Sequence, residues 1–327
     1  MNQGQEHKLP DSPCDVSICV LNWNQRPLLK ECLASCLREL GQSKLAGQVI
    51  VVDNASTDGS PEMVSELFPK VNLILNKENA GFSAANNQAI QLSTGRYVLI
   101  LNNDTVLLPG CLEIMVAFMD SHPRVGVTGP KLLNRDGSIQ RGYHRALPTL
   151  AELLLALFWL DRFWPGKLLA DRARGIDEGL THPTPIEQVA GCAMLLRRQA
   201  LDSAGFFDES FEYWYEDVEL CHRFLKGGWE IYYLPQAQII HYGGASFATL
   251  GPSKTTPMRI SGQLQYFRKH KGVFQYAILK GMAILGLLLR LVVVSSLGLI
   301  PSIRDRRRWS GAASAYWHFL PRLIWNR

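Results

Sequence analysis

The stretch "YVLILNNDTVLLPG" sets two asparagines and an aspartate between apolar runs. Tyr97 to Leu101 reads as a strand covered on both faces, so Asn102, Asn103 and Asp104 fall at its C-terminal end, the edge where open α/β sheets bind ligands. A structural role competes, because Asp104 or Thr105 could instead cap a helix opened by Pro109. Three earlier strand-like runs end the same way: Asn22 closes "VSICVLN", Asp53 and Asn54 close "QVIVVDN", and Asn76 and Asn79 follow "VNLIL". A single asparagine is explained by its tolerance of turn conformations, but four successive strand ends describe one polar rim. In "VVDNASTDGS" the carboxylate of Asp53 can accept hydrogen bonds from a pyrimidine imide or a ribose, while Ser56, Asp58 and Ser60 can cap the next helix. Gly81, in "ENAGFSAANNQAI", allows close backbone approach at a helix start, and Asn86 and Asn87 lie within that helix.

A second group of chemical residues lies further on. Glu216, Asp217 and Glu219 begin a helix, where acids ordinarily serve the helix dipole, and that explains Glu219. It does not explain the aromatic run Phe211 to Tyr215, with Trp214, that leads into them. A carboxylate beside apolar rings is partly desolvated and holds a proton more readily, as a general base must. His241 in "IIHYGGAS" follows another apolar strand, with Gly243 and Gly244 beside it; a lone histidine there is either a core residue or a ligand.

The elements that must position these residues alternate. Strands at Val16 to Asn22, Gln48 to Asn54, "VNLILN" and "YVLILNN" are separated by helices "LLKECLASCLREL", "SPEMVSELF" and "FSAANNQAIQLS", with "PGCLEIMVAFMDS" following, which means βαβ units and a mostly parallel sheet. Cys32 and Cys36, four apart on the first helix, suit packing, and the seven cysteines show neither metal-finger nor disulfide spacing. The Rossmann dinucleotide fingerprint and the Walker lysine loop are absent. The N-terminal residues 1–14 read as a tail without a secretory signal, which predicts a reducing, cytoplasmic setting.

Charge divides the chain. From Lys254 onward thirteen Lys and Arg face a single acid, Asp305, so this segment carries +12 and residues 1–253 carry −7 within the total of +5. Its charges interleave with "GMAILGLLLRLVVVSSLGLIP" and with Trp309, Trp317 and Trp325, a pattern of membrane association rather than nucleic-acid binding. "LAELLLALFWL" is too short to span a bilayer. Ala277 to Ile300 is long enough to span, yet Lys280 and Arg290 within it argue for an interfacial or re-entrant helix, and the sequence leaves both arrangements open. The expected division is a tail (1–14), a globular domain (15–253) and a membrane-associated segment (254–327).

In order and spacing, "VSICVLNWNQ", "VIVVDNASTDGS", "NAGFSAANNQAI", "YVLILNNDTVLLPG", "VAGCAMLLRRQAL", "GFFDESFEYWYEDVELCHRFLKGGW" and "IIHYGGAS" resemble family 2 glycosyltransferases of the GT-A fold, with the rhamnosyltransferase-like subgroup most similar. The resemblance implies a Rossmann-like open sheet with flanking helices and an inverting transfer from a nucleoside diphosphate sugar, with Mg²⁺ or Mn²⁺. It puts Asp104 in the place of the retained carboxylate of the D-x-D motif, with Asn102 where an acid is often found. It brings His241 to the metal or diphosphate, and makes Asp217 the base with Glu216 as its alternate. Asn22, Asp53, Asn54, Ser56, Asp58, Asn79, Gly81, Asn86, Asn102 and Asn103 would face the donor; Gly191, Cys192 and Trp214 the acceptor. The expected acceptor is a lipid-linked or cell-surface glycan, plausibly receiving rhamnose, at the cytoplasmic face of the cell membrane. A nucleotidyltransferase and a non-catalytic nucleotide-sugar-binding module are the alternatives; the first would show a glycine-rich basic loop, which "LNWNQRP" is not, and turnover separates the second.

Overall fold

The computed structural model of the chain describes residues 14–143, 146–157, 180–211, 214–243, 251–298 and 306–325. The expected tail therefore lies outside the described residues but for Cys14, as do Gly244 and the last three residues of "LAELLLALFWL".

Four strands form one half of the sheet as expected. β1 (Val16–Asn22), β2 (Gly47–Asp53), β3 (Asn72–Leu75) and β4 (Tyr97–Asn102) pair in parallel in the order β3-β2-β1-β4. Their connections are α1 (Arg26–Gln42), α2 (Ser60–Leu67) and α3 (Gly81–Leu92). Ile18, Val20, Val51 and Leu99 face one core with α1; Cys19, Ile50, Val98 and Ile100 face the other with α3. Burial on both faces is why these runs are continuously apolar rather than alternating. Cys32 and Cys36 are fully buried on α1, in keeping with packing.

After β4 the chain departs from expectation. Thr105–Leu107 forms a strand, β5, and the following helix, α4 (Cys111–Ser121), begins two residues past Pro109. Neither Asp104 nor Thr105 caps it. Its first amides are served from α1, where buried Glu39 accepts hydrogen bonds from the Gly110 and Leu112 N–H groups at 3.1 and 3.2 Å. That cap comes from a residue distant in sequence, which frees the Asp104 turn for other use.

The second half of the sheet is mixed. β8 (Ala193–Arg197) runs antiparallel between β4 and β6 (Val125–Leu133), and β9 (Glu230–His241) lies parallel to β6 and antiparallel to β5 and to β7 (Thr184–Pro185). The full order is β3-β2-β1-β4-β8-β6-β9-β5, with flanking helices α6 (Arg198–Ala204) and α7 (Glu216–Lys226). The α/β class with a mostly parallel sheet stands, its longest ladders being the parallel ones.

Helices α5 (Leu150–Leu157), α8 (Gly251–His270), α9 (Gly272–Gly298) and α10 (Arg306–Trp325) form a third layer. Ile260, Leu264, Phe267, Leu279, Leu287, Tyr316 and Leu323 share a core there with Phe211 and Val218. Helix α5 crosses α9 closely: a Cβ at Gly286 would sit 2.8 Å from Leu157 Cγ. A division at residue 253 or 254 falls inside α8. Glu219, which the sequence offered only as a dipole partner, is fully buried on α7 and accepts hydrogen bonds from Lys269 Nζ at 2.6 Å and Arg223 Nε at 2.8 Å, with His270 Nε2 at 3.1 Å. Burial alone would raise its carboxyl, but the Lys269 hydrogen bond and the Arg223 charge outweigh that and lower it. Lys269 of α8 thus neutralises a buried acid of α7, and His270, whose own pKa is lowered first by burial, adds a hydrogen bond.

Candidate active site

The turn after β4 and the end of β9 meet. In the β5–β9 ladder Thr105 is opposite His241, and the Tyr242 N–H donates to the Asp104 carbonyl at 2.8 Å. This register sets the imidazole beside the carboxylate: His241 Nε2 lies 3.4 Å from Asp104 Oδ1, both residues almost wholly buried. Nε2 has no hydrogen-bond partner. On the other side of the ring, Nδ1 is 2.8 Å from Gln140 Oε1, and Tyr143 meets the ring edge-on at 5.3 Å. Beyond it a cleft opens, lined by Glu31, Asn134, Arg135, His241 and Tyr242, with the Tyr242 hydroxyl donating to Glu31 at 2.7 Å.

The second carboxylate arrives through β8. The Asn102 N–H donates to the Cys192 carbonyl at 2.9 Å, and one residue earlier the Gly191 N–H donates to Asp217 Oδ2 at 2.8 Å. Asp217 Oδ1 accepts from the Val218 N–H at 2.7 Å. Gly191 sits closely against its neighbours: a Cβ there would stand 3.3 Å from Phe82 Cζ and 3.4 Å from Asp217 Cβ. Cys192 is buried between the two centres, its thiol raised first by burial and then by the charges of Asp104 and Asp217. Trp214 and Tyr215, at φ of 59° and 75°, enter α7 through two left-handed non-glycine residues, a strained conformation of the kind that surrounding structure holds at functional sites. Residues 212–213 of the aromatic run lie outside the described residues.

Glu216 differs from its neighbour. It is buried, its Oε2 lacks a hydrogen-bond partner, and burial first and the Asp217 charge second push its carboxyl up to about 8. The unfolded chain would release that proton near 4.5, so between these values the native state holds the extra proton and stability falls as pH rises. Urea denaturation is expected to show wild type losing stability from about pH 5 to pH 8 and Glu216→Gln losing less. Equal slopes for the two proteins would refute a buried neutral acid at this position.

The polar rim is real, but much of it is turned on itself. Fully buried Asn22 donates through Nδ2 to Asp53 Oδ2 at 2.8 Å and to Ser56 Oγ at 3.2 Å, and its Oδ1 accepts from Asn103 Nδ2 at 2.7 Å. Asp53 Oδ1 also accepts the Ser56 N–H at 2.8 Å. One asparagine therefore connects the strand end carrying Asp53 to the turn carrying Asp104. Asn54 donates to Asn79 Oδ1 and to the Gly81 carbonyl at 3.1 and 3.2 Å, and the Gly81 N–H donates to Asn79 Oδ1 at 2.9 Å. Gly81 has φ of 82° with open space where a Cβ would be, so its backbone conformation is what requires glycine.

Three rim residues have structural partners. Asp58 accepts the Arg26 N–H at 2.8 Å and the Ser60 N–H at 3.1 Å, tying the starts of α1 and α2 together. Asn86 is buried and donates to the Phe82 carbonyl of its own helix at 2.9 Å. Asn87 clamps the Phe207 backbone from both sides, donating to its carbonyl at 2.9 Å and accepting its N–H at 3.0 Å. Sequence reasoning missed Gln140, Tyr143 and Gln188, whose Nε2 is 3.4 Å from Asp217 Oδ2. The Asp-Gly turn in "NRDGSIQ" was a legible hairpin signal, but nothing in it marked Gln140 as a partner of a histidine a hundred residues away.

Among the described residues no group of three His, Cys, Asp or Glu is clustered for a metal. Asp104 and His241 alone suit a hydrated cation that takes its remaining ligands from water and substrate oxygens.

Comparison with known proteins supplies the family context. The family described as glycosyl transferase family 2 matches residues 17–202. An N-acetylglucosaminyl-diphospho-decaprenol L-rhamnosyltransferase of Mycobacterium tuberculosis is 29% identical over 209 residues, covering 59% of this chain and 66% of that protein. An O-antigen biosynthesis protein of Myxococcus xanthus is 28% identical over 234 residues, covering 69% of this chain and 17% of that protein. The chain thus spans just under two thirds of the first relative and a small part of the second. A mannosyltransferase from Pyrobaculum calidifontis, solved in complex with GDP-Man and Mn²⁺, superimposes with a TM-score of 0.54 at 18% identity, covering 98% of this chain and 92% of that one, and so shares its fold.

Proposed function

We propose that this chain, which belongs to glycosyl transferase family 2, transfers a sugar from a nucleoside diphosphate donor to a hydroxyl of a glycan or lipid-linked acceptor. The observation that carries this reading is the buried meeting of Asp104 and His241 at 3.4 Å, linked to Asp217 through the Asn102–Cys192 and Gly191–Asp217 hydrogen bonds. A divalent cation, Mg²⁺ or Mn²⁺, held by Asp104 and His241 Nε2 would absorb the charge that builds on the leaving diphosphate. Asp217, oriented by the Gly191 and Val218 amides, takes the acceptor hydroxyl proton as the new O–C1 bond forms and the C1–O bond to the diphosphate breaks. The diphosphate leaves with the bonding pair and the anomeric centre inverts. A single base, Asp217, is what such a single displacement requires. Asp53, with Asn22 behind it, is the residue we assign to the nucleoside.

The relatives' rhamnosyltransferase and O-antigen names support rhamnose as the sugar and a lipid-linked precursor as the acceptor. Incubating purified protein with a panel of nucleotide sugars and following nucleoside diphosphate release tests the donor. Release from none of them in the presence of a polyprenyl-linked acceptor and Mn²⁺ would refute transfer.

The acceptor's chemistry calls for a membrane. Gly272–Val293 is, among the described residues, the one stretch long and apolar enough to cross a bilayer, and only 28% of its apolar window is buried within the protein. One face, with Leu279, Ala283 and Leu287, packs on its helical neighbours, while Val273, Phe274, Leu288, Leu289 and Val292 face outward together with Trp317 and Trp325 of α10. A helix held on one side by its own globular layer suits lying in the interface of the cytoplasmic leaflet. Full-length protein is expected to sediment with anionic vesicles. Replacing Phe274 and Trp317 by serine should weaken that binding at least about tenfold, since each aromatic buries ~1.5–3 kcal/mol of apolar surface. Equal sedimentation of the two proteins would remove the membrane from the reading.

A further inference from the structure

We propose that Gln140 is a positioning residue that fixes the tautomer of His241, so that a bare Nε2 lone pair is presented beside Asp104. The proposal rests on reading those two residues as metal ligands.

The argument follows from which atoms can donate. Gln140 Nε2 lies 2.6 Å from the His241 carbonyl, and a carbonyl only accepts, so the amide nitrogen must be the atom there. Oε1 is then the atom 2.8 Å from His241 Nδ1. Oε1 only accepts as well, so Nδ1 carries the hydrogen and donates it. A neutral imidazole has one N–H, which leaves Nε2 as an acceptor. That nitrogen is buried, lacks a hydrogen-bond partner and lies 3.4 Å from a carboxylate oxygen. Two acceptors facing each other in a dry space repel, unless a cation stands between them.

Gln140 is itself fixed. It is buried, its N–H donates to the Leu132 carbonyl at 2.9 Å, and the hairpin before it is closed by the Asn134 N–H donating to the Ser138 carbonyl at 2.7 Å and by the Leu133–Ile139 bridge. Its side chain therefore grips both the ring and the backbone of His241. Tyr143 packs edge-on against the imidazole, the ring centroids 5.3 Å apart. Support of this type behind a metal histidine alters metal affinity about 10–100-fold when removed.

Mn²⁺ alone, titrated into full-length protein and followed by the paramagnetic resonance signal of the free ion, provides the test. Gln140→Leu, close in shape, should bind Mn²⁺ about 10–100-fold more weakly than wild type. Nitrogen-15 shifts of His241 above its titration range should report an Nδ1–H tautomer in wild type, a reading that holds even where Gln140→Leu does not fold. The proposal is overturned by wild-type Mn²⁺ affinity in Gln140→Leu or by an Nε2–H tautomer in wild type. Asp104→Ala separates the two levels: if it loses Mn²⁺ while Gln140→Leu keeps it, only the role of Gln140 falls. If Asp104→Ala binds Mn²⁺ as wild type does, the metal reading itself falls.

Discussion

Asp104→Ala is expected to lower transfer at least about 10³-fold, since a cation that neutralises a leaving diphosphate supplies several kcal/mol of transition-state stabilisation. The fold should survive, because the Tyr242 N–H still bonds the Asp104 backbone carbonyl and the β5–β9 ladder needs no Asp104 side chain. Loss of activity with unchanged thermal unfolding, matched by wild type in excess chelator and reversed there by Mn²⁺, is the expected pattern. With Asn102 in place of an acid, Asp104 has no neighbouring carboxylate in the motif to take over. An Asp104→Ala protein that turns over normally would remove the cation from the reaction and return Asp104 to the role of a turn residue.

Asp217→Asn should lower kcat about 10²–10⁴-fold with donor KM nearly unchanged, which is the usual worth of a general base. The substitution keeps shape and leaves an oxygen to accept from the Gly191 or Val218 N–H, but the amide cannot take a proton. The hydrogen bonds of Asp217 with Gln188, Gly191 and Val218 are made on the β8 side of the site, so the donor side should register little change. Glu216→Gln is the control and should be milder, because a carboxyl pushed up to about 8 is already neutral at pH 7 and a glutamine resembles it. If Glu216→Gln is the severe variant and Asp217→Asn the mild one, the proton goes to Glu216. If both remain active, this helix start serves α7 alone.

The contrast between Asp104 and Glu219 separates what local pattern can reveal from what it cannot. Asp104 was legible because strand periodicity set it at a C-terminal sheet edge, and that inference needs only a strand and its end. Glu219 was read as an ornament of the helix dipole, yet it is buried against Lys269 and His270 of a helix some fifty residues later. Helix periodicity tells which face a residue is on, but not whether a cation from another element will meet it there. The same limit left the internal bonding of the rim unread: Asn22 and Asn86, expected to face a donor, are buried and hydrogen-bonded within the protein.

By itself the sequence determined the parallel half of the sheet and the rim of polar strand ends, and it marked Asp104 and Asp217 as candidates. Those depend on local rules: apolar runs of strand length, helices of matching period between them, and turn-tolerant residues at the joints. The tertiary structure decided how the centres assemble. Thr105–Leu107 became a strand because β9 offered it an antiparallel partner, and that register, not any feature of "NNDTVLLPG", set His241 against Asp104. Antiparallel insertion of β8 beside β4 brought Gly191, and through its amide Asp217, to the same edge. Strand pairing across more than a hundred residues is chosen by which exposed edges and apolar faces fit together in the folded chain, and no local pattern carries that choice.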